Sequence, residues 1–113
     1  MNILLIGLGR WGEKHLRVLQ EIGCSVWVAD ISEERLDWAV SRGVDRAHAV
    51  TDYSTALDAV EAVDIVTTAE THLPIAEHAL TAGRHCFIEK PLTVTVAEGQ
   101  HVVDAARAHD RVV

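Results

Sequence analysis

The chain has 113 residues, 49% of them hydrophobic, and a formal net charge of −7 at pH 7. This length suits one domain and leaves little room for a second lobe. The acidic balance argues against a nucleic-acid partner, because binding phosphates requires clustered Lys and Arg. No apolar run approaches the roughly 20 residues that span a bilayer, and Met1 leads into a strand pattern without a signal peptide. These features predict a folded cytoplasmic protein without membrane contact.

Short apolar runs alternate with helical patterns from the first residues onward. The first half predicts a strand over 2–6, a helix over 10–22 that Gly23 ends, a strand over 25–30, and a helix that Ser32 caps and that stops before Gly43. In the first helix, several side chains recur at three- and four-residue steps, as one helix face would: Trp11, His15, Val18, Leu19 and Ile22.

The second half continues this alternation. It predicts a short strand over 46–50, a short helix over 53–62, a strand over 63–69, a helix over 73–83, a strand over 85–89, a helix over 95–110, and the start of a sixth strand over 111–113. Pro74 suits the first turn of its helix, and Thr95 with Glu98 has capping-box spacing. Near-continuous apolar strands between helices indicate a doubly wound parallel sheet, the three-layer α/β/α Rossmann class.

Gly7, Gly9 and Gly12 form G-x-G-x-x-G between the first strand and the first helix. There, the first glycine allows a tight turn, the second lets the backbone approach a pyrophosphate, and the third allows close packing of helix on strand. The helix N-terminus faces the phosphates with free N–H groups. The pattern predicts a dinucleotide cradle that includes Leu8, Arg10 and Trp11. The alternative is the same turn without a ligand.

Asp30 closes the second predicted strand, where a carboxylate can accept hydrogen bonds from the adenosine ribose diol. We expect Ile31 beside it to contact the cofactor as well. The charge of Asp30 repels a 2′-phosphate, and Ile31 and Ser32 supply no arginine to neutralise one, which favours NAD over NADP. Arg35 leaves room for dual specificity. The alternative is that Asp30 only caps the following helix.

Glu89, Lys90 and Pro91 follow the fifth predicted strand, in the stretch FIEKPL. Ligands collect at the carboxyl ends of parallel strands, so Lys90 is expected on the cofactor side of the sheet. An ammonium there can hydrogen-bond a substrate hydroxyl and help its oxidation as hydride leaves for nicotinamide. Glu89 would pair with Lys90 or hold the loop. From the residues alone, a solvated loop is the other interpretation.

The stretches GLGRWGEKHLRVL and AGRHCFIEKPLTVTVAEG resemble the Gfo/Idh/MocA oxidoreductases, and the resemblance covers essentially the whole chain. The second stretch is the specific one, because unrelated Rossmann domains lack it. The resemblance implies that Lys90 is the catalytic-site lysine near nicotinamide and substrate, that Glu89, Lys90 and Pro91 contact the cofactor, and that the Lys90–Pro91 peptide can be cis.

The stretch TTAETH is similar to the family's T-P-N-x-x-H turn after the fourth strand. Thr67 and His72 match that motif, whereas Thr68 and Ala69 replace its Pro and Asn. The resemblance therefore places all four residues at the cofactor, with the backbone of Ala69, and not its side chain, beside the nicotinamide ribose. His72 is expected to order the turn and not to transfer protons.

The resemblance implies an NAD-dependent dehydrogenase that acts on a hydroxyl or ketone of a sugar, polyol or sugar-nucleotide. In the family, a second α/β domain binds substrate, supplies an Asp and a His for acid–base work, and often mediates homo-oligomers. Residues 1–113 form only the dinucleotide-binding domain, as a natural short protein or, preferably, the N-terminal part of a longer enzyme. Alone, the chain is expected to bind dinucleotide without turnover.

Two alternatives to a dehydrogenase domain stay open at this point. One is a non-catalytic dinucleotide-sensing module, in which Lys90 would have no evident use. The other is a structural remnant whose missing lobe comes from another chain.

The remaining reactive side chains form no motif. Cys24 and Cys86 lie in or beside apolar runs, where cysteines of a chain without a secretory signal are more often buried hydrophobes than a disulfide. No metal site is expected, because the other histidines lack ligand spacing such as H-E-x-x-H: His15, His48, His78, His85, His101 and His109.

Overall fold

The computed structural model describes all 113 residues. The strands are β1 (Asn2–Ile6), β2 (Ser25–Ala29), β3 (Ala49–Val50), β4 (Ala62–Ile65) and β5 (His85–Ile88). The α-helices are α1 (Arg10–Glu21), α2 (Glu33–Ser41), α3 (Ala69–Thr81) and α4 (Val96–Ala108), and 3₁₀ segments cover Arg46–His48 and Tyr53–Ala59. None of the helices has the length and apolar character needed to cross a membrane.

All the strands are parallel and lie in the order β3-β2-β1-β4-β5. The chain moves outward from β1 through β2 to β3, crosses back, and then moves the other way through β4 to β5. This topology confirms the predicted doubly wound Rossmann class. It creates a switch point between β1 and β4, where open parallel sheets bind their ligands.

Two apolar clusters cover the two faces of the sheet. Leu4 and Ile6 of β1 belong to the cluster that includes α3 and α4, whereas Leu5 belongs to the cluster that includes α1 and α2. The alternation follows from the period of two in strand side chains. With both faces covered, the carboxyl ends of the strands form one free edge.

The apolar stripe predicted for α1 is only partly its buried face. Gly12 and Leu16 are the buried residues of this helix, and Leu19 of the stripe is half-buried against the core, whereas Trp11, Val18 and Ile22 are exposed. Gly12 accounts for the difference, because its missing side chain lets the helix lie directly against the turn that follows β1.

The predicted boundary between β4 and α3 is wrong. β4 ends at Ile65 and not at residue 69, and α3 begins at Ala69 and not at residue 73. Pro74 therefore lies inside α3 and not in its first turn. The first turn of α3 is polar, so apolar helical periodicity becomes visible only from Leu73 onward.

The other differences concern short segments. β3 is only Ala49–Val50 because residues 46–48 form a 3₁₀ turn, and the predicted helix over 53–62 is the 3₁₀ segment Tyr53–Ala59. Residues 111–113 form no strand, although the Cys86 N–H donates to the Val112 carbonyl at 2.9 Å. The predicted Ser32 cap and the Thr95–Glu98 capping box are both present.

The two cysteines are free thiols, Cys86 buried in β5 and Cys24 half-buried. Burial raises the pKa of the Cys86 thiol to about 12, so the nucleophilic thiolate does not form at neutral pH. Cys86 therefore packs as a small hydrophobe, as the sequence predicted.

Candidate functional site

A cleft of about 630 Å³ opens at the carboxyl ends of β1, β2 and β4. Most of the sequence-predicted site residues line it: Gly7, Gly9, Arg10, Trp11, Asp30, Ile31, Thr67, Thr68, Glu89 and Lys90. The other predicted residues do not line the cleft: Leu8, Gly12, Ala69, His72 and Pro91. The topology thus brings the glycine loop, the end of β2, and the turns after β4 and β5 to one place.

The three glycines of the loop occupy three different environments. Gly7 has a φ of +95°, and a Cβ there would lie 2.5 Å from the Val66 carbonyl oxygen. A Cβ on Gly12 would lie 2.0 Å from the Gly7 carbonyl oxygen. A Cβ on Gly9 would meet nothing within 4 Å. Gly7 and Gly12 are therefore required by the fold, whereas Gly9 keeps backbone accessible from the cleft.

The N-terminus of α1 points into this cleft without a capping side chain. Gly9 is the N-cap residue, and no side chain hydrogen-bonds to the first turn. The first N–H groups of a helix have no intrahelical partner, and they carry the positive end of the helix dipole. Arg10 adds a cation to the cleft wall, and the Lys14 ammonium lies over the exposed Trp11 ring, 4.3 Å from its centroid. The arrangement is suited to an anion such as a pyrophosphate.

Asp30 connects the glycine loop to the end of β2. One carboxylate oxygen accepts from the Leu8 N–H at 2.8 Å, and the other accepts from the Ser32 N–H at 2.9 Å. The side chain that caps α2 is that of Ser32, so capping does not explain Asp30. An ionised carboxylate has about four acceptor sites. Asp30 is therefore held in place with acceptor capacity left for a diol in the cleft.

The turn after β4 forms the opposite wall. Thr67 and Thr68 both line the cleft, and the Thr71 hydroxyl bridges them by donating to the Thr68 carbonyl and accepting from the Thr67 hydroxyl, each at 2.7 Å. These bonds fix the polar first turn of α3. Ala69 is the first residue of that turn and does not line the cleft.

His72 orders the loops at this wall. It is 1% exposed. Its Nε2 lies 3.1 Å from the Thr67 carbonyl, and its Nδ1 lies 2.9 Å from the Pro91 carbonyl and 3.2 Å from that of Leu92. The imidazole therefore joins the turn after β4 to the turn after β5. Both ring nitrogens face backbone carbonyls, and His72 does not line the cleft.

The turn after β5 presents an amine at the edge of the cleft. The Lys90–Pro91 peptide is cis, and the Glu89 carboxylate accepts from the Lys90 backbone N–H at 3.0 Å. Glu89 thus holds the loop and forms no ion pair with the Lys90 side chain. Lys90 lines the cleft and is exposed. Its ammonium is left available to a ligand.

Sequence reasoning missed part of the lining. Seven further residues complete the walls: Ile6, Ala29, Thr51, Tyr53, Val66, Thr71 and Ile75. Thr51 and Tyr53 follow β3, so the carboxyl-edge rule that located Lys90 could have located them. Burial raises the pKa of the Tyr53 phenol, and the charge of Asp52 adds to the shift.

Sequence reasoning also missed a buried acid outside the cleft. Asp64 lies within β4 and is 2% exposed. One of its oxygens pairs with His15 Nδ1 of α1 at 2.8 Å, and the other has no hydrogen-bond partner. Burial raises the pKa of Asp64, against the lowering effect of the His15 hydrogen bond. Nothing in the local sequence predicts this pair, because the two residues come from distant segments.

Comparison with known families and proteins gives consistent results. A family model described as "Oxidoreductase family, NAD-binding Rossmann fold" matches residues 1–113. UDP-N-acetylglucosamine 3-dehydrogenase of Acidithiobacillus ferrooxidans is 35% identical over 107 residues, which cover 95% of this chain and 34% of that protein. Inositol 2-dehydrogenase of Salmonella typhimurium is 33% identical over 112 residues, which cover 95% and 33%. The chain spans about a third of the length of these curated relatives.

Solved structures share the whole fold. The UDP-N-acetylglucosamine 3-dehydrogenase from Acidithiobacillus ferrooxidans superposes with a TM-score of 0.91 at 31% identity, covering 100% of this chain and 37% of the other. A scyllo-inositol dehydrogenase from Lactobacillus casei, solved with bound NAD(H) and scyllo-inositol, superposes with a TM-score of 0.88 at 27% identity, covering 99% and 34%.

Proposed function

The chain belongs to the Gfo/Idh/MocA family of oxidoreductases, and from that premise we propose that residues 1–113 bind NAD(H) in the cleft at the carboxyl edge of the sheet. The domain would serve a dehydrogenase that moves hydride between the nicotinamide and a hydroxyl or ketone. Sugars, polyols and sugar-nucleotides are the substrate class, in line with the relatives' names.

One observation carries the proposal: the cleft has a free helix N-terminus in its floor and a fixed carboxylate at one end. Gly9 leaves open space where a pyrophosphate would approach the backbone. Asp30 is oriented by the Leu8 and Ser32 N–H groups, so its remaining acceptor sites would receive the ribose hydroxyls. A 2′-phosphate would meet the same negative charge, which supports NAD over NADP.

At the other end of the cleft, Lys90 would act on the substrate. Bound NAD supplies the hydride acceptor. The Lys90 ammonium would donate a hydrogen bond to the substrate hydroxyl and stabilise negative charge on that oxygen as the hydride leaves. The hydroxyl proton would pass to an acid–base residue outside residues 1–113, in a second domain of the kind inferred for the family.

We therefore propose that this chain alone binds dinucleotide without turnover. Lys90 is exposed at the cleft edge, and no wall of residues 1–113 encloses a substrate above it. The substrate pocket, a homo-oligomeric assembly and a cytoplasmic location belong to the same proposal for the longer enzyme. A dinucleotide sensor is not favoured, since the named relatives are dehydrogenases.

The direct test is calorimetric titration of the folded chain with NADH and NADPH, together with the variant Gly9→Ala. A Cβ at residue 9 meets nothing within 4 Å, so this variant should fold with an unchanged melting temperature. It should nevertheless weaken NADH binding by at least about tenfold, because the methyl group occupies the approach to the backbone. Glu34→Gln, an exposed change on α2, is the matched control.

Saturable NADH binding that Gly9→Ala weakens and Glu34→Gln preserves would support the cradle. Binding that is indifferent to Gly9→Ala would place the ligand elsewhere, and a folded chain that binds neither NADH nor NADPH would refute the proposal for residues 1–113.

A further inference from the structure

Arg35 is the arginine nearest to Asp30 along the chain, and its guanidinium has three partners. Its Nε donates to the Leu8 carbonyl at 2.7 Å, and one terminal nitrogen pairs with the Glu13 carboxylate. The guanidinium carbon also lies 4.7 Å from the centroid of the Trp38 ring. The planar group therefore has hydrogen-bond partners at its edge and an aromatic partner at its face, an arrangement that an arginine makes well.

The contact with Leu8 connects Arg35 to the proposed cofactor site. The Leu8 N–H donates to Asp30, and the Leu8 carbonyl accepts from Arg35. Two side chains from the segment after β2 therefore hold both polar groups of one residue within the glycine loop. Arg35 does not line the cleft. Its contribution to the site is exerted on the loop and not on a ligand.

Glu13 determines where the charge of Arg35 is directed. Both side chains are partly exposed, Arg35 at 29% and Glu13 at 42%, so the pair is accessible to rearrangement. With Glu13 ionised, the guanidinium is paired on the α1 side of the loop. A 2′-phosphate beside Asp30 would need a charge-assisted bond to a cation at this position, and the paired Arg35 does not supply one.

We propose that Glu13 is a specificity-determining residue that favours NAD(H) over NADP(H) by keeping Arg35 on the glycine loop. The inference rests on the dinucleotide site proposed above and deepens it. In this account, Asp30 repels the 2′-phosphate directly, and Glu13 withholds the arginine that would otherwise offset that repulsion. Arg35 is a positioning residue for the loop.

The test compares NADH and NADPH dissociation constants for five variants by calorimetry. Glu13→Gln removes the partner charge while preserving side-chain shape, and should lower the NADPH-to-NADH ratio of dissociation constants by about tenfold, the value of one added charge-assisted hydrogen bond. Glu34→Gln removes the same charge from a residue next to Arg35 that makes no ion pair, and should change the ratio far less.

Two further variants identify the arginine. Arg35→Met keeps an unbranched side chain on Trp38 and removes the hydrogen-bond donors. It should weaken the binding of NADH and of NADPH by similar factors, because the glycine loop loses the bond to the Leu8 carbonyl. The double variant Glu13→Gln/Arg35→Met should not show the lowered NADPH-to-NADH ratio of Glu13→Gln. This result would identify Arg35, and not Arg10, as the cation that binds the 2′-phosphate. Glu13→Ala repeats the first comparison, and circular dichroism verifies the folding of every variant.

The inference is overturned if Glu13→Gln and Glu13→Ala change the ratio no more than Glu34→Gln does. It is also overturned if the double variant keeps the lowered NADPH-to-NADH ratio of Glu13→Gln. A third contradicting result is an Arg35→Met variant that loses affinity for NADPH alone, since Arg35 would then already contact the phosphate in the wild-type chain. Those results leave NADH binding by the wild-type chain intact, whereas a wild-type chain that binds neither dinucleotide refutes the proposed function itself.

Discussion

The two halves of the sheet prepare the cleft in different ways. On the β1–β2 half, side chains hold backbone: Asp30 and Arg35 bind the N–H and the carbonyl of Leu8. On the β4–β5 half, side chains hold loops to one another, as His72 does between the Thr67 and Pro91 carbonyls. Only on this second half does an exposed amine, that of Lys90, reach the cleft edge without a partner.

The difference indicates that the two halves serve different functions at the same edge of the sheet. The β1–β2 half is preorganised to bind, because Asp30 and Arg35 fix the backbone of Leu8 in its loop before a ligand arrives. The β4–β5 half is preorganised to present one reactive group, because its loops are fixed while Lys90 is not. Two acidic residues of the sheet also differ in position. Asp30 follows a strand and lines the cleft, whereas Asp64 lies within a strand and is buried.

Lys90→Ala should have the largest effect and should separate chemistry from binding. In the longer dehydrogenase proposed above, we expect kcat to fall by about 10²- to 10⁴-fold, the usual contribution of a positioned acid–base group. The NADH dissociation constant of the chain should change little, since the β1–β2 half is untouched. Steady-state kinetics and calorimetry measure the two quantities. A variant with normal kcat would remove Lys90 from its proposed role.

Gly12→Ala should damage the binding half through its fold. The added Cβ would lie 2.0 Å from the Gly7 carbonyl oxygen, so α1 must move away from the loop. We expect a loss of about 1–3 kcal/mol in the free energy of unfolding, the typical cost of overpacking, and weaker NADH binding. Urea unfolding measures the first effect, with Gly9→Ala as the stable counterpart. Equal stability of the two variants would contradict the assigned glycine roles.

Asp30→Ala should weaken NADH binding by about tenfold, because the ribose loses a charged acceptor. The loss of affinity should be smaller for NADPH, because Asp30 no longer repels its 2′-phosphate. The NADPH-to-NADH ratio of dissociation constants should therefore fall. The ratio of the two dissociation constants is the informative measurement, since loosening of the loop alone would weaken both cofactors equally. An unchanged ratio would leave Asp30 with only its structural hydrogen bonds to Leu8 and Ser32.

Asp64→Asn should have the smallest effect on the site and should leave NADH binding unchanged. Its effect is on the pH dependence of stability. Burial raises the pKa of Asp64 above the ordinary 3.8, so the folded state binds this proton more tightly than the unfolded chain does. The contribution of Asp64 to stability therefore declines as the pH rises from 3.8 through the raised pKa.

Urea unfolding of wild type and Asp64→Asn at acidic and neutral pH tests this expectation. The asparagine keeps an acceptor for His15 and carries no charge, so the variant should gain stability relative to wild type as the pH increases. A stability difference between the two proteins that does not vary with pH would contradict a raised pKa of Asp64 in the folded state.

The sequence was sufficient for features that depend on local patterns. Short apolar runs located β1, β2 and β5, and Ser32 and Thr95 located helix starts through their caps. The spacing predicted that the glycines and Asp30 lie at one edge of the sheet, and Gly7, Gly9 and Asp30 line one cleft there, since that edge follows from the parallel topology.

The features that were missed depend on three-dimensional context. The start of α3 lies in a polar turn that faces the site, so it carries no apolar periodicity. The buried face of α1 is set by the packing of Gly12 against Gly7, which a count of apolar positions does not detect. The Asp64–His15 pair joins a strand to a helix across a long stretch of chain.

The most direct test of the account is the pattern of backbone amide chemical-shift changes when NADH is added to the isotope-labelled chain. We predict the largest changes at the N–H groups of residues 9–12 and at Leu8 and Ser32, whose N–H groups contact Asp30, with smaller changes at Thr67 and Lys90. Saturating changes confined to other surfaces, with the glycine loop unaffected, would contradict the central claim that this loop holds the dinucleotide.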